Sequence, residues 1–343
     1  MKTILAFLAV ACQATFALAQ DDRTPYMTKS LANDAISSVY VSTSAGGIKV
    51  SGESGQAPRI EVYIQGNNNR DLSKAEIEKR LNEDYELNID VKDHELRATV
   101  KTRHEFRNWN NGMSISFKIY VPSQVSTELT TSGGGIDLDH LKGKENFRTS
   151  GGGLNIASVS GEVNGTTSGG GINVSDSDDR IDLTTSGGGI NAKDCHGDIR
   201  LKTSGGGIVL HNLKGTIYAH TSGGGVEAEH IEGELNTGSS GGGLRLYDMN
   251  CSLDATTSAG SVEADIRQVG KYVRLSTSAG NINLTLPAKQ GLDLDLSAER
   301  VEQTEFHDFH GQFDKDRVKG SINGGGVSVD AHANSGHISV RFN

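Results

Sequence analysis

The chain has 343 residues, with 33 basic against 43 acidic side chains and a net charge of −10. An acidic chain without a basic block is a poor partner for nucleic acid, because phosphate neutralisation needs clustered Lys and Arg. Glycine is abundant at 44 residues and proline scarce at 4, a composition that signals disorder only where the glycines lack a period.

The first element is "MKTILAFLAVACQATFALA". Lys2 heads an apolar run from Ile4 to Ala11, and Ala17-Leu18-Ala19 closes it with a small-x-small end. Residues 1–19 therefore read as a secretory signal peptide cut after Ala19, which leaves a mature net charge of −11. Cys12 in "AVAC" offers a lipobox-like alternative, but it sits very early and Ala9 is a poor match. No later run approaches the ~18 apolar residues of a membrane span. The expected protein is exported, either periplasmic or at the cell surface or secreted, with no transmembrane segment in the mature chain.

Residues 20–130 are irregular and read as an N-terminal cap. "VYVSTSAGGIKVSG" (Val39 to Gly52) predicts one early coil, and "RIEVYIQG" predicts a strand. In "DLSKAEIEKRLNEDYEL", Ser73 and Glu76 have capping-box spacing, and Ala75, Ile77 and Leu81 favour a short helix. A hairpin turning at Lys92 to His94 and the alternating strand "MSISFKIYVP" complete the cap.

Residues 131–298 are periodic. The Ser of each Thr-Ser-Gly-Gly-Gly motif falls at 132, 150, 168, 186, 204, 222 and 240, 18 residues apart, followed by Ser258 and, after 20, Ser278. A fixed period with decaying ends is the signature of a solenoid. Counting Thr131 as position 1, apolar residues fill position 6 (Ile136, Leu154, Ile172 and on) and position 8 (Leu138, Ile156, Val174 and on). Positions 15 and 17 repeat the alternation, with Glu145 the polar exception at 15. Period two means strands with one buried face, and no helical spacing appears. The expected fold is all-β: a single-stranded β-helix of 18-residue coils, with the cap adding one short helix and a hairpin. Glycines at positions 3 to 5 are expected to supply backbone conformations closed to other residues, and the Thr and Ser hydroxyls to bond one another along the ladder. Residues 299–343, with "NGGGV" and "NSGHI", read as the last coils and a closing strand.

Cysteine tests the register. Cys195 takes position 11 and Cys251 position 13 of a coil three repeats on, so they fall about 14 Å apart, beyond disulfide reach. Cys195 reads as a small core residue, Cys251 as a turn residue open in part to solvent.

Several stretches together resemble a bacterial family of exported β-helical proteins of the toast-rack kind, regarded as adhesins of unknown function. They are "TSAGGIKVSG", "EKRLNEDYELNIDVKD", "WNNGMSISFKIYVPSQVSTELTTSGGGI", the "TSGGGI" ladder and "GSINGGGVSVDAHANSGHISV". The resemblance spans nearly all of the mature chain. It implies the β-helical fold and an adhesin-like role, and brings no catalytic residues with it.

Candidate chemistry is sparse. "SDSDDRID" carries Asp176, Asp178, Asp179 and Asp182. Asp176 and Asp194 share position 10 in successive coils, where neighbouring carboxylates could share a proton or hold Ca²⁺, although a solvated turn is the plainer reading. "EFHDFHGQFD" places His307 and His310 around Asp308, without a third ligand at motif spacing. These four, Asp176, Asp194, His307 and His310, are the metal candidates; the expectation remains no metal, no cofactor and no catalytic residue. The outward ladder at position 7 (Asp137, Asn155, Asn173, Asn191) reads as a stabilising amide ladder. Only Tyr218 and Tyr247 offer aromatic platforms among the regular coils, which counts against a lectin. The reading is a non-catalytic envelope adhesin or scaffold, binding an envelope polysaccharide or another envelope protein. Its alternatives are a carbohydrate-active enzyme using an Asp ladder and a protein-partner module in envelope signalling.

Overall fold

The computed structural model describes residues 24–52, 55–67, 70–104, 112–303 and 308–343. Residues 1–19 and Cys12 lie outside them. The fold is a β-solenoid. From Ser126 to Ser252 each coil pairs in parallel with the next at an offset of 18, as in Thr127↔Glu145, Val163↔Ile181, Ile199↔Ile217 and Leu235↔Leu253. The step of 20 near the end is a two-residue insertion, since Cys251 pairs with Val269 but Leu253 with Val273.

Each coil runs a strand through positions 6 to 9, turns a corner at position 10, and runs a second strand that ends on the Thr of position 1. In the first regular coil these strands are Ile136–Asp139 and Lys142–Arg148. Positions 6, 8, 11, 15, 17 and 1 face inward and are buried, as in Ile136, Leu138, Leu141, Glu145, Phe147 and Thr149. The core is thus one continuous stack of aliphatic rows.

The glycine corner works differently from the sequence expectation. From Gly133 to Gly260 none of the glycines at positions 3 to 5 has positive φ; Gly280 does, at +157°. What requires glycine is proximity. A Cβ on Gly134, Gly152, Gly170, Gly188, Gly206, Gly224, Gly242 or Gly260, all at position 4, would overlap the carbonyl of the glycine in the coil before. At position 3 the nearest atom would lie farther off, from 3.0 Å at Gly223 to 3.5 Å at Gly133. The decayed motifs obey this difference. "TSAGS" and "TSAGN" lose glycine at positions 3 and 5 but keep Gly260 and Gly280 at position 4.

The hydroxyls also bond differently. They do not bond one another; each donates to the position 4 carbonyl of the preceding coil, as Thr167 Oγ1 does to Gly152 O (2.7 Å) and Thr185 Oγ1 to Gly170 O (2.7 Å). Each also accepts from the position 4 N–H of its own coil, as Thr167 Oγ1 does from Gly170 N (3.3 Å). The buried hydroxyl therefore satisfies two backbone groups that would otherwise be orphaned at the bend. Ser239 does the same in place of Thr.

The outward position 7 forms the expected amide ladder, with Asn155 Nδ2 donating to Asp137 (2.6 Å) and Asn173 Nδ2 to Asn155 (3.0 Å).

Both ends are closed in the same way. The early coil, Ser38–Thr43 and Ile48–Ser51, does not form the outermost layer. It lies between Ser126–Thr131 and Glu95–Thr102 in one sheet, and between Ile136–Asp139 and Met113–Tyr120 in the other. At the far end the last strands, Val327–Ser335 and His337–Phe342, slot between the preceding coil and the strands Leu292–Ser297 and Arg300–Gln303. Antiparallel strands then cover the exposed edges: Arg59–Gly66 at one end, Arg317–Ile322 at the other. Helix Lys74–Asp84 and the hairpin Tyr85–Lys92/Glu95–Thr102 complete the N-terminal cap. Ser73 Oγ accepts from Glu76 N as the capping spacing predicts, but the Glu76 carboxylate turns to Arg80 Nε (2.7 Å) instead of returning to the cap.

Two predictions follow from the core. Gly152→Ala should lower stability by about 3 kcal/mol, whereas Gly151→Ala, one residue earlier, should cost under about 1 kcal/mol, both read by denaturant titration. Equal costs would refute the contact argument. Glu145 is fully buried, with one oxygen accepting from Thr127 Oγ1 (2.6 Å) and the other unpaired. Burial pushes its carboxyl up from the usual 4.5 to about 7, against the opposing Thr127 bond. An acid raised on folding stays protonated while the unfolded chain ionises, so its contribution is lost as pH rises from 4.5 to about 7. Glu145→Gln should be the more stable protein at pH 8 by roughly 2–3 kcal/mol and match wild type at pH 4.

Candidate functional site

Asp176 and Asp194 do lie on one corner of successive coils, but that corner has a conformational reason for them. His140, Ser158, Asp176, Asp194, Asn212, His230 and Asp248, all at position 10, have φ between +49° and +57°. This is the left-handed region, where Asp, Asn and His are the least disfavoured side chains. The corner also resets the strand phase, so that positions 8 and 11 both face inward.

The carboxylates then take separate partners. Asp194 accepts from Asn212 Nδ2 on the next coil and faces Lys193 Nζ (3.5 Å). The Asn212 bond, first, holds its carboxyl below the usual range. Asp178 meets His196 (3.0 Å), Asp179 accepts from Gly161 N (3.0 Å), and Asp182 faces Arg200 (3.9 Å). His310 meets Asp308 (3.4 Å) on an exposed hairpin, and His307 lies outside the described residues. Among the described residues, the one group whose His, Asp or Glu ligand atoms all fall within 4.8 Å is His211, Glu229 and His230, which the sequence reading did not single out.

Cys251 corrects an expectation. It is 1% exposed, not open at a turn. Position 13 is a second left-handed corner at Gly161, Asp179, Gly197, Gly215 and Gly233, but not at Cys251, where the side chain turns into the core. Burial pushes the Cys195 thiol up to about 11 and the Cys251 thiol up to about 12. Neither is a thiolate nucleophile near neutral pH.

Tyr218 stands at position 16 on the outward face of the second strand, with its ring stacked on His220 (centroids 4.1 Å apart, planes 18°). Arg200 lies 5.0 Å and Lys202 5.3 Å from the ring centroid. His220 packs over Gly238, where a Cβ would come within 3.0 Å of its Nε2. Burial, then Lys202, hold the His220 pKa below its usual value, so the ring is neutral at physiological pH. The same face, positions 16 and 18, carries a depression of about 460 Å³ on the N-terminal side, lined by Asn146, Arg148, Asn164 and Asp182. A second of about 390 Å³ lies on the C-terminal side, lined by Asp254, Arg274, Asp295, Ser297, Asp330 and His332. The platform sits between them. In the sequence its signal was the 18-residue alignment of Arg200, Tyr218 and Asn236 in one outward row.

These coils, corners and caps define a β-solenoid. The Toastrack DUF4097 family matches residues 40–341, and the chain belongs to that family. No curated protein matches it. Three solved structures align with 92% of this chain. A provisionally assigned cell adhesion protein from Clostridium sporogenes is 10% identical, covered over 98% of its length, with a TM-score of 0.21. A provisionally assigned adhesin from Bacteroides fragilis is 12% identical (96% covered, TM-score 0.23), and a provisionally assigned lipid binding protein from Parabacteroides distasonis is 13% identical (96% covered, TM-score 0.30). Superpositions this loose transfer no site. Among the described residues no helix is long and apolar enough to cross a membrane.

The corner reading is testable. Asp176→Asn keeps left-handed tolerance and removes the charge, so the melting midpoint should not move, with or without added Ca²⁺. Asp176→Val should cost about 1–2 kcal/mol. A midpoint that falls in Asp176→Asn, and that Ca²⁺ raises only in wild type, would give the carboxylate an ion-binding role instead.

Proposed function

We propose that this protein is a non-catalytic, exported binding or scaffolding element of the cell envelope, adhesin-like in action. Its ligand, an envelope polysaccharide, lies along the outward face of positions 16 and 18. The observation that carries this reading is the Tyr218–His220 platform flanked by Arg200 and Lys202, set between two depressions on one straight face. An aromatic face suits the apolar side of a sugar ring, and the two cations suit carboxylate or phosphate substituents. Rows repeated at strand spacing favour a linear polymer that makes many weak contacts at once. Export rests on the leader-like residues 1–19. A protein partner in the envelope would use the same face.

A second reading, hydrolysis, has one observation behind it. In the C-terminal depression Ser297 Oγ and His332 Nδ1 lie 2.6 Å apart beside Asp254 and Asp330, a spacing that suits a nucleophile and its base.

Binding of the protein to arrayed glycans and envelope polysaccharides, with product analysis of the same incubations, decides between them. Binding without cleavage is expected, and Tyr218→Ala should weaken it about five- to tenfold. New chain ends that vanish in Ser297→Ala would replace binding with hydrolysis. Affinity indifferent to Tyr218 would remove the platform from the argument.

A further inference from the structure

The corner at positions 9 and 10 carries a second constellation, built from the 18-residue register. His211 and Glu229 both hold position 9 and pair directly across adjacent coils, and His230 follows Glu229 at the left-handed residue. His211 Nε2 lies 3.8 Å from one Glu229 oxygen, and His230 Nδ1 lies 3.6 Å from the other. The two imidazole rings stand 5.6 Å apart and are tilted by 53°.

These separations are too long for hydrogen bonds. They are close to what a shared cation would need. Donor atoms about 2.0–2.1 Å from a tetrahedral metal stand about 3.4 Å from one another. One ligand atom from each of the three residues lies within 4.8 Å of the others, so a contraction of at most about 1.4 Å would close the site.

The neighbours select which nitrogen is available. Asp248, on the next coil, accepts from His230 Nε2 (2.9 Å), and its other oxygen is held by Arg267 Nε (3.2 Å). A proton fixed on Nε2 leaves the Nδ1 lone pair directed at Glu229. This carboxylate-to-imidazole contact is the arrangement that orients metal-ligating histidines. His211 Nδ1 is buried and takes no hydrogen bond, so Nε2 is the nitrogen that ring can offer. The nearby cations are already engaged, Arg267 by Asp248 and Lys193 by Asp194. Glu229 and His230 are exposed, so a fourth position is open to water or an incoming ligand.

We propose that His211, Glu229 and His230 bind one divalent transition cation of the zinc class, with Asp248 orienting His230 from behind. Two imidazoles and a carboxylate suit Zn²⁺, and copper or nickel would compete for the same donors, whereas an all-oxygen cation such as Mg²⁺ would not.

The test uses tag-free protein stripped with EDTA and titrated calorimetrically with ZnCl₂ alone. One saturable equivalent is expected, together with a raised melting midpoint. His230→Asn, which keeps left-handed tolerance at an exposed position, should abolish the binding, as should His211→Ala. Asp248→Asn should retain the stoichiometry and weaken affinity about 10- to 100-fold. His310→Ala should change nothing. Circular dichroism checks each fold; should His211→Ala fail to fold, His230→Asn decides alone. No saturable binding, or binding untouched by His230→Asn, overturns the assignment.

Discussion

The structure depends on one close backbone contact. At position 4 of the regular coils, from Gly134 to Gly260, a glycine lies against the carbonyl of its counterpart in the coil before, and from Gly152 to Gly242 a Thr or Ser hydroxyl bridges the two. The contact sets how near coils approach at that corner. A gap there would break the Thr bridge, and a side chain would wedge the coils apart. Once the corner is fixed, an 18-residue chain length and parallel pairing leave each inward position facing its own kind. The aliphatic rows are a consequence of that register as much as its cause.

Much of this was legible in the sequence because a solenoid turns long-range contacts into a fixed offset. The period, the inward positions, the cap helix and the hairpin could be read because each is local or repeated. The role of the glycines was not, because composition cannot separate a need for positive φ from a need for an absent Cβ. The decayed copies held the answer: Ala259 and Ala279 replace position 3, while Gly260 and Gly280 persist at position 4. The left-handed corner was equally visible as a column of His, Ser, Asp and Asn at position 10, but the acidic members invited a chemical reading first. The turn of Cys251 into the core could not be read, because it depends on its coil lacking the left-handed corner found at position 13 from Gly161 to Gly233. The candidate sites stayed hidden for a related reason. His211 acquires meaning only beside Glu229 and His230, 18 and 19 positions away, and Tyr218 only beside cations of the coil before, and those offsets matter only once the register is secure.

The frame also explains where function can vary. Inward positions and position 4 are fixed by neighbours on both sides, whereas outward side chains answer only to the two adjacent rungs. Coils 203–256 concentrate the departures from the polar background: Tyr218 and His220 on one face, His211, Glu229 and His230 at the corner. Regular coils on either side hold those departures in place without sharing their chemistry.

The placement of the chain ends has a mechanical consequence. The early coil and the last coil are each bonded along both edges, so neither is an open rung of the stack. Tension applied through the last strand, His337–Phe342, must rupture two ladders together before that coil unwinds. A protein tethered at one end and loaded through its long face would keep its shape under drag that would unravel an open stack.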